Sequence, residues 1–267
     1  MRDADFITVP DGQLYYEVTG TGAPVVLLHG FSLDTRMWDA QVQPLAQTHT
    51  VIRYDRRGFG RASLPVAPYS HVADLHGLLA HLQISNTALV GLSRGGSVAL
   101  EFALTYPAQV EALVLVDSVL GGYRWSDEYR ALDKTVWETA RTQGVDAGKT
   151  AWIAHPIFAP ALEQAAIGEQ FRAMVQDYTG WHFLNRDPDQ RLDPPAAQRL
   201  HEIHCPTLVV VGERDLPDFQ QIADLLHTGI VGAQKVVLPG VGHLASMEAT
   251  APCTELLGAF LAHPAQA

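Results

Sequence analysis

A serine, an aspartate and a histidine each stand in a loop behind a short apolar run, and together they could perform nucleophilic acyl transfer. Ser93 lies in Gly91-Leu92-Ser93-Arg94-Gly95-Gly96, after the apolar run Thr87-Ala88-Leu89-Val90 and before the helix-like run from Ser97 to Tyr106. A small-x-Ser-x-Gly pattern between a strand and a helix makes a sharp turn that forces the serine into a strained backbone with its hydroxyl exposed. Side chains on the near side of such a turn would collide with the strand or the helix, so Gly91, Gly95 and Gly96 meet a steric requirement. A serine hydroxyl is a poor nucleophile until a base takes its proton, and the usual base is a histidine oriented by a carboxylate. Asp215 closes Leu208-Val209-Val210-Val211-Gly212-Glu213-Arg214-Asp215, and His243 closes Val236-Val237-Leu238-Pro239-Gly240-Val241-Gly242-His243. Each sits just past the end of an apolar run. Asp117, behind Leu113 to Val116, is a rival for the acid; Glu213 is a weaker one because it sits closer to its strand.

An oxyanion produced by attack at a carbonyl needs two preorganised N–H groups. The backbone of Arg94, directly after the serine at a helix start, supplies one. Phe31, in His29-Gly30-Phe31 behind Val25-Val26-Leu27-Leu28, supplies the other, with Gly30 letting the chain approach closely.

These loops converge only if the runs before them are neighbouring strands of one parallel sheet. The runs Val25 to Leu28, Val51 to Tyr54, Ala88 to Val90, Leu113 to Val116, Leu208 to Val211 and Val236 to Leu238 are nearly continuous rather than alternating. That is the pattern of strands covered on both faces. Helix-like segments separate most of them: Trp38 to Gln47, Val72 to Leu82, Ser97 to Tyr106, Gln220 to Leu226 and Ala245 to Leu261. Alternation of this kind predicts an open α/β sheet with its carboxyl ends on one edge. A β-hairpin, Phe6 to Val9 and Leu14 to Thr19 around Pro10-Asp11-Gly12, precedes it. Between about Leu120 and Leu200 the rhythm breaks. This stretch is rich in aromatic residues (Tyr123, Trp125, Trp137, Trp152, Phe158, Phe171, Tyr178, Trp181, Phe183), and Pro188, Pro194 and Pro195 punctuate its exit. It reads as a helical insertion in a core made of 1–119 and 201–267.

Composition bounds the partners. The 267 residues carry 18 basic and 29 acidic side chains, a net charge of −11. That balance argues against nucleic acid or an anionic membrane as the main partner. The closest basic cluster, Arg53, Arg56, Arg57 and Arg61, is interrupted by Asp55. With 47% apolar residues the chain can bury a large core, and Cys205 and Cys253 read as free thiols rather than a needed disulfide. No apolar run reaches the ~18 residues of a membrane span, and no apolar signal region follows Met1 to Asp5, so a cytoplasmic location is expected.

The chain resembles the α/β-hydrolase superfamily over nearly its whole length. The matching pieces are His29-Gly30-Phe31, Asp55-Arg56-Arg57-Gly58-Phe59-Gly60, the stretch around Ser93, Gly212-Glu213-Arg214-Asp215 and Gly240-Val241-Gly242-His243, with the Ser, Asp, His order of that superfamily. The resemblance implies an eight-stranded, mostly parallel sheet flanked by helices, with a helical lid inserted after the sixth strand. It also implies a Ser93-His243-Asp215 triad, a Phe31 and Arg94 oxyanion hole, and hydrolysis of a small carboxylic ester or lactone without metal or organic cofactor. Small esterases, 3-oxoadipate enol-lactonases, carbon–carbon bond hydrolases and cofactor-free perhydrolases are the similar branches, and some relatives act only as ligand receptors. An epoxide hydrolase or dehalogenase would carry Asp at position 93. One departure stands out: relatives often have an apolar residue after the nucleophile, where this chain has Arg94. Its side chain would either steer an anionic substrate or pair with a lid carboxylate. Two or three of the nine aromatic residues named in the insertion are expected to face the pocket, and Trp38 to pack in the core. Asp55 and Arg57 are expected to fix their loop. Most other histidines are expected on the surface or in the lid; His201 and His204 share a helix-face spacing but have no third ligand.

Overall fold

In the computed structural model, residues 2–263 are described. Eight strands form one sheet: β1 (Arg2–Val9), β2 (Gly12–Thr19), β3 (Ala23–Leu28), β4 (His49–Tyr54), β5 (Thr87–Leu92), β6 (Val110–Val116), β7 (Thr207–Gly212) and β8 (Gln234–Leu238). Their spatial order is β1-β2-β4-β3-β5-β6-β7-β8. The hairpin β1–β2 joins β4 antiparallel, and every pair from β4 to β8 is parallel. The fold is therefore α/β, and the carboxyl ends of six strands share one edge.

The continuous apolar runs are explained by two cores. In β3, Val25 and Leu27 join one cluster and Val26 and Leu28 the other. Neighbouring strand residues point to opposite faces, so a strand covered on both sides must be apolar at every position. On the first face lie α1 (Asp39–Leu45) and, at the far end of the chain, α10 (Ala245–Glu248) and α11 (Thr250–Ala262). Trp38 is wholly buried there, as expected of a packing residue. The second face is covered by α2 (His71–His81), α3 (Arg94–Thr105) and α9 (Pro217–Gly229). Three helices differ from the sequence reading: α3 begins three residues earlier, at Arg94 directly after Ser93, α9 extends Gln220 to Leu226 by three residues at each end, and the Ala245 to Leu261 segment is split in two.

Between β6 and β7 the chain leaves the sheet for α4 (Asp127–Gln143), α5 (Val145–Ile153), α6 (Ala159–Glu163), α7 (Ala165–Asp177) and α8 (Trp181–Leu184). These helices bury Val136, Trp152, Phe158, Phe171, Met174 and Phe183 in continuity with the first-face core. Cys205 and Cys253 are both free. Among the described residues, no helix is long and apolar enough to cross a membrane.

The tightest point of the fold is the β5–α3 junction. A Cβ on Gly95 would meet the backbone oxygens of Leu28 and His29, and one on Gly91 would meet the backbone of Gly95 and Gly96. None of these atoms belongs to a flexible side chain. Gly95→Ala is expected to destabilise the protein by about 3 kcal/mol or more, in the upper range for overpacking. Denaturant unfolding checks it, with Gly258→Ala, where the added Cβ meets open space, as the benign comparison.

Candidate active site

Ser93 holds φ 55° and ψ −116°. A non-glycine residue pays about 1–3 kcal/mol for such a backbone, so its surroundings must enforce it. They do: Ser93 N–H donates to the Val116 carbonyl at 2.9 Å, while its own carbonyl accepts from Ser97 N at 3.2 Å and Val119 N at 3.1 Å. The hydroxyl projects from the elbow toward His243, whose Nε2 lies 2.9 Å from Oγ. His243 Nδ1 lies 2.7 Å from Asp215 Oδ2. With Nδ1–H donating to the carboxylate, Nε2 is left as the acceptor for the serine proton.

Each partner is fixed by its loop. Asp215 Oδ1 accepts the Leu216 N–H at 2.7 Å. Glu248 clamps the histidine loop, accepting Gly242 N at 2.7 Å and Leu244 N at 2.9 Å. Burial raises the Glu248 pKa, and these two N–H donors pull it back. The Phe219 ring packs 4.4 Å from the imidazole. Asp117, the rival acid, is buried and accepts Gly212 N at 2.8 Å. Burial, then the nearby Asp215 charge, raises its pKa well above the usual carboxylate range. Of the two acids only Asp215 has a hydrogen bond to His243 among the described residues; Asp117 braces the strand ends beneath. Glu213 instead accepts Gly240 N.

The opposite wall is the loop after β3. His29 Nε2 accepts Arg56 N at 2.9 Å, so its proton is on Nδ1, which donates to the Gly30 carbonyl at 2.8 Å. Arg56 donates from Nε to the His29 carbonyl and from Nη2 to the Gly30 carbonyl, both at 3.1 Å. In a trans peptide the N–H points opposite to the C=O. Drawing the Gly30 oxygen down onto Arg56 and His29 therefore turns the Phe31 N–H the other way. Gly30 and Phe31 line the same cavity as Ser93. Arg94 N is the first N–H of α3, where helical N–H groups lack intrahelical partners and the dipole favours negative charge. Arg56, read from sequence as part of a basic cluster and of a matching motif but not given a role, thus shapes the site. Nothing in its spacing signals that role, which depends on two carbonyls brought near it by folding.

The Arg94 side chain is paired with a carboxylate of the insertion: Nη2 reaches Asp189 Oδ2 at 2.7 Å, and that carboxylate is 4% exposed. Asp189 Oδ1 also accepts the His71 N–H. Asp55 and Arg57 do fix their loop: Asp55 accepts from Thr35 N and Arg61 N, and Arg57 pairs with Asp74 at 2.7 Å. Trp152 Nε1–H donates to Ser32 Oγ at 2.7 Å, joining the insertion to the loop after β3.

Above Ser93 lies a cavity of about 480 Å³. Its apolar wall includes Phe31, Trp137, Trp152, Phe158, Phe183 and Leu244. Four of the nine insertion aromatics named from sequence therefore face it, Trp137, Trp152, Phe158 and Phe183, rather than two or three; Tyr129 joins them. The histidine expectation also needs correction. His29 and His71 are buried in the core, and neither is a surface or insertion residue. Burial, then the Arg56 charge, holds both well below the ordinary histidine pKa. In the insertion, burial brings His155 down to about 4 and His182 to about 3.

Two clusters have metal-ligand-type atoms within 4.8 Å of one another: His71 with Asp187 and Asp189, and Asp117 with Asp215 and His243. In the first, Tyr69 donates to Asp187 while Arg94 and the His71 N–H hold Asp189; in the second the atoms serve the contacts already described.

With the fold and this geometry in place, the relatives can be set beside the chain. The model of the alpha/beta hydrolase family matches residues 25–257. The chain belongs to that family. A thermophilic esterase from Thermogutta terrifontis is 30% identical, with a TM-score of 0.83 and 99% of each chain covered. The enol-lactonase from Burkholderia xenovorans LB400 is 25% identical, with a TM-score of 0.82, covering 97% of this chain and 100% of its own. A Synechocystis protein provisionally named as a non-heme chloroperoxidase is 30% identical over 86% of this chain and 88% of its own length.

Two outcomes follow from the geometry. Asp215→Asn is expected to lower kcat by about 10⁴-fold, because the amide favours the wrong imidazole tautomer, whereas Asp117→Asn costs less than about tenfold. Steady-state rates of the two folded variants decide which carboxylate serves His243. The second concerns acid. His182, neutral in the fold, takes a proton below about pH 6.5 only when unfolded, so the unfolded state binds more protons and this residue's stability contribution falls as pH falls toward 3. Buried Asp55 and Asp133, raised by burial to about 6, act in the opposite sense, so a difference is the clean readout. Between pH 6.5 and 5 the stability of wild type relative to His182→Gln is expected to decline by up to about 1.4 kcal/mol per pH unit. A pH-independent difference in paired melts would refute neutral burial of His182.

Proposed function

We propose that the protein is a serine hydrolase that cleaves a small carboxylic ester or lactone through an acyl-enzyme. The observation that carries this reading is the relay from Ser93 Oγ to His243 Nε2 at 2.9 Å and from His243 Nδ1 to Asp215 at 2.7 Å, opening into a cavity walled in part by aromatic rings. The esterase and enol-lactonase among its structural relatives support the same chemistry.

Ser93 Oγ attacks the carbonyl carbon while His243 Nε2 takes its proton. The carbonyl oxygen, now negative, is received by the N–H groups of Phe31 and Arg94. Asp215 holds the imidazole in the acceptor tautomer and stabilises its cation. Collapse of the tetrahedral adduct breaks the bond to the alkoxy oxygen, which leaves with the proton from His243. Water then enters, gives its proton to His243 and releases the acid, and the proton returns to Ser93. A lactone follows the same course, its leaving oxygen staying tethered to the acyl chain. The inserted segment 120–200 acts as a lid: it walls part of the cavity with aromatic rings, which limits the size of the acyl or alcohol group.

Hydrolysis of p-nitrophenyl acetate and butyrate by wild type and Ser93→Ala tests the reading. Turnover is expected to fall by about 10⁴-fold or more on substitution. Turnover that survives in Ser93→Ala would exclude Ser93 as nucleophile. Tight ligand binding with negligible steady-state turnover by the folded wild type would make the protein a receptor.

A further inference from the structure

The cavity reverses the charge of the chain that surrounds it. The protein has a net charge of −11, yet the cavity is lined by Arg56, Arg94, Arg141, Arg186 and Arg191 against only Asp133 and Asp187. Asp189 neutralises Arg94 from behind, and Arg191, half exposed, lies 3.6 Å from the same carboxylate. Among the described residues, no carboxylate comes within 4.0 Å of the guanidinium nitrogens of Arg56, Arg141 or Arg186. Arg56 is the unusual one: it is fully buried, donates to two backbone carbonyls, touches His71 Nε2 at 3.5 Å and lies over the Phe59 ring, all of them neutral partners. A buried cation without a carboxylate in contact is costly, here offset only by the more distant Asp189 charge, and that cost is relieved when an anion arrives nearby.

Next to it stands a donor with nothing to donate to. His182 Nδ1 accepts the Tyr178 hydroxyl proton at 2.7 Å, and the same hydroxyl oxygen accepts the His182 backbone N–H at 3.1 Å. That exchange satisfies Tyr178 and leaves the imidazole proton on Nε2. The side chain is 6% exposed, lines the cavity, and its Nε2 has no hydrogen-bond partner. Asp187 Oδ2, at 3.7 Å, is beyond hydrogen-bond reach. The ring is locked by stacking on Phe59 at 4.5 Å and by the Phe31 ring at 5.6 Å, so this N–H is held beside the oxyanion loop. Two independent features, a wall with an excess of arginines over carboxylates and a rigid donor without a partner, thus point at one ligand chemistry.

We propose that this wall is a carboxylate subsite: the ester cleaved at Ser93 carries a second, ionised carboxyl group, which accepts from His182 Nε2–H in the field of Arg56, with Arg186 and Arg191 guiding entry. The inference rests on the reading of Ser93 as the nucleophile, and it names the substrate class as half-esters or lactones of dicarboxylic acids, or esters of hydroxy acids. Arg94 is not the steering charge, because Asp189 already holds it.

Matched pairs of substrates test it by pH-stat: monomethyl adipate against methyl hexanoate, with the charge on the acyl side, and 4-acetoxybutanoate against butyl acetate, with the charge on the alcohol side. In one pair the charged ester is expected to have a kcat/KM at least about tenfold higher at low ionic strength, falling as salt screens the mouth. The pair that shows it tells which side of the scissile bond faces His182. In Arg186→Gln/Arg191→Gln, and separately in His182→Gln, that ratio is expected to drop about fivefold, carried by KM. Neutral esters cleaved as well as, or better than, charged ones in both pairs would overturn the subsite and leave the hydrolase standing. No cleavage of any of the four esters, with Ser93 unlabelled by a fluorophosphonate, would overturn the hydrolase reading and the subsite with it.

Discussion

The backbone of one residue, Ser93, is the constraint on which the rest of the structure depends. Its positive φ is unfavourable in isolation and exists because the sheet around it is already built. The Val116 carbonyl that receives its N–H is the last residue of β6, so the elbow can close only after β5 and β6 have paired in register. The Val119 N–H that binds its carbonyl lies immediately before the insertion. One strained residue thus ties together two central strands, the helix that follows and the exit of the chain toward the aromatic segment. The glycines on either side follow from the same demand, since α3 must begin immediately and lie against the carbonyls of Leu28 and His29.

A second principle organises the layer around the elbow: buried histidines are kept neutral, and arginines do the electrostatic work. Arg56 depresses His29, His71 and His182 alike, after burial has done most of it. Burial in turn lowers Arg56 itself to about 10. Neutral imidazoles have one donor and one acceptor, and so they can fix peptide orientation, as His29 does for Gly30, without adding charge beside the nucleophile. Arg94 follows the same logic by another route. The residue next to the nucleophile is cationic, and Asp189 cancels it at 2.7 Å.

The parts of this arrangement that lie in local sequence were legible before any coordinates. Continuous apolar runs identified every parallel strand, in the inner ones because a doubly covered strand has no polar face to show, and in the edge strand β8 although Val237 is exposed. The elbow, Asp215 and His243 were legible because each sits a fixed few residues past a strand end. Expectations weakened where one long-range contact decides. Whether Arg94 meets substrate or a carboxylate depends on Asp189, 95 positions away in the chain. Glu248 clamping the His243 loop looks in sequence like an ordinary helix residue, and the histidines of the core look like surface ones. The number of aromatics facing the cavity was underestimated because the helices of the insertion bury one face against the sheet edge and another against each other, and composition does not distinguish the two.

These long-range contacts also decide what the insertion can do. Among the bonds that fasten it to the hydrolase core are Trp152 to Ser32, Arg94 to Asp189, and Arg214 to Glu163 at 2.6 Å. The first two are buried and end on residues of the expected oxyanion loop and elbow; the third is exposed and, screened by solvent, contributes little. Opening the segment as a rigid body would break the two buried bonds together and leave an unpaired carboxylate and guanidinium behind, a cost of several kcal/mol. Movement of the stretch from Arg186 to Arg191 alone would carry Asp189 away from Arg94 but leave the Trp152 to Ser32 bond in place. The architecture therefore keeps the aromatic wall seated on the catalytic loops through Trp152, and it leaves Arg186 and Arg191 exposed at the cavity rim, where cationic groups meet an incoming substrate.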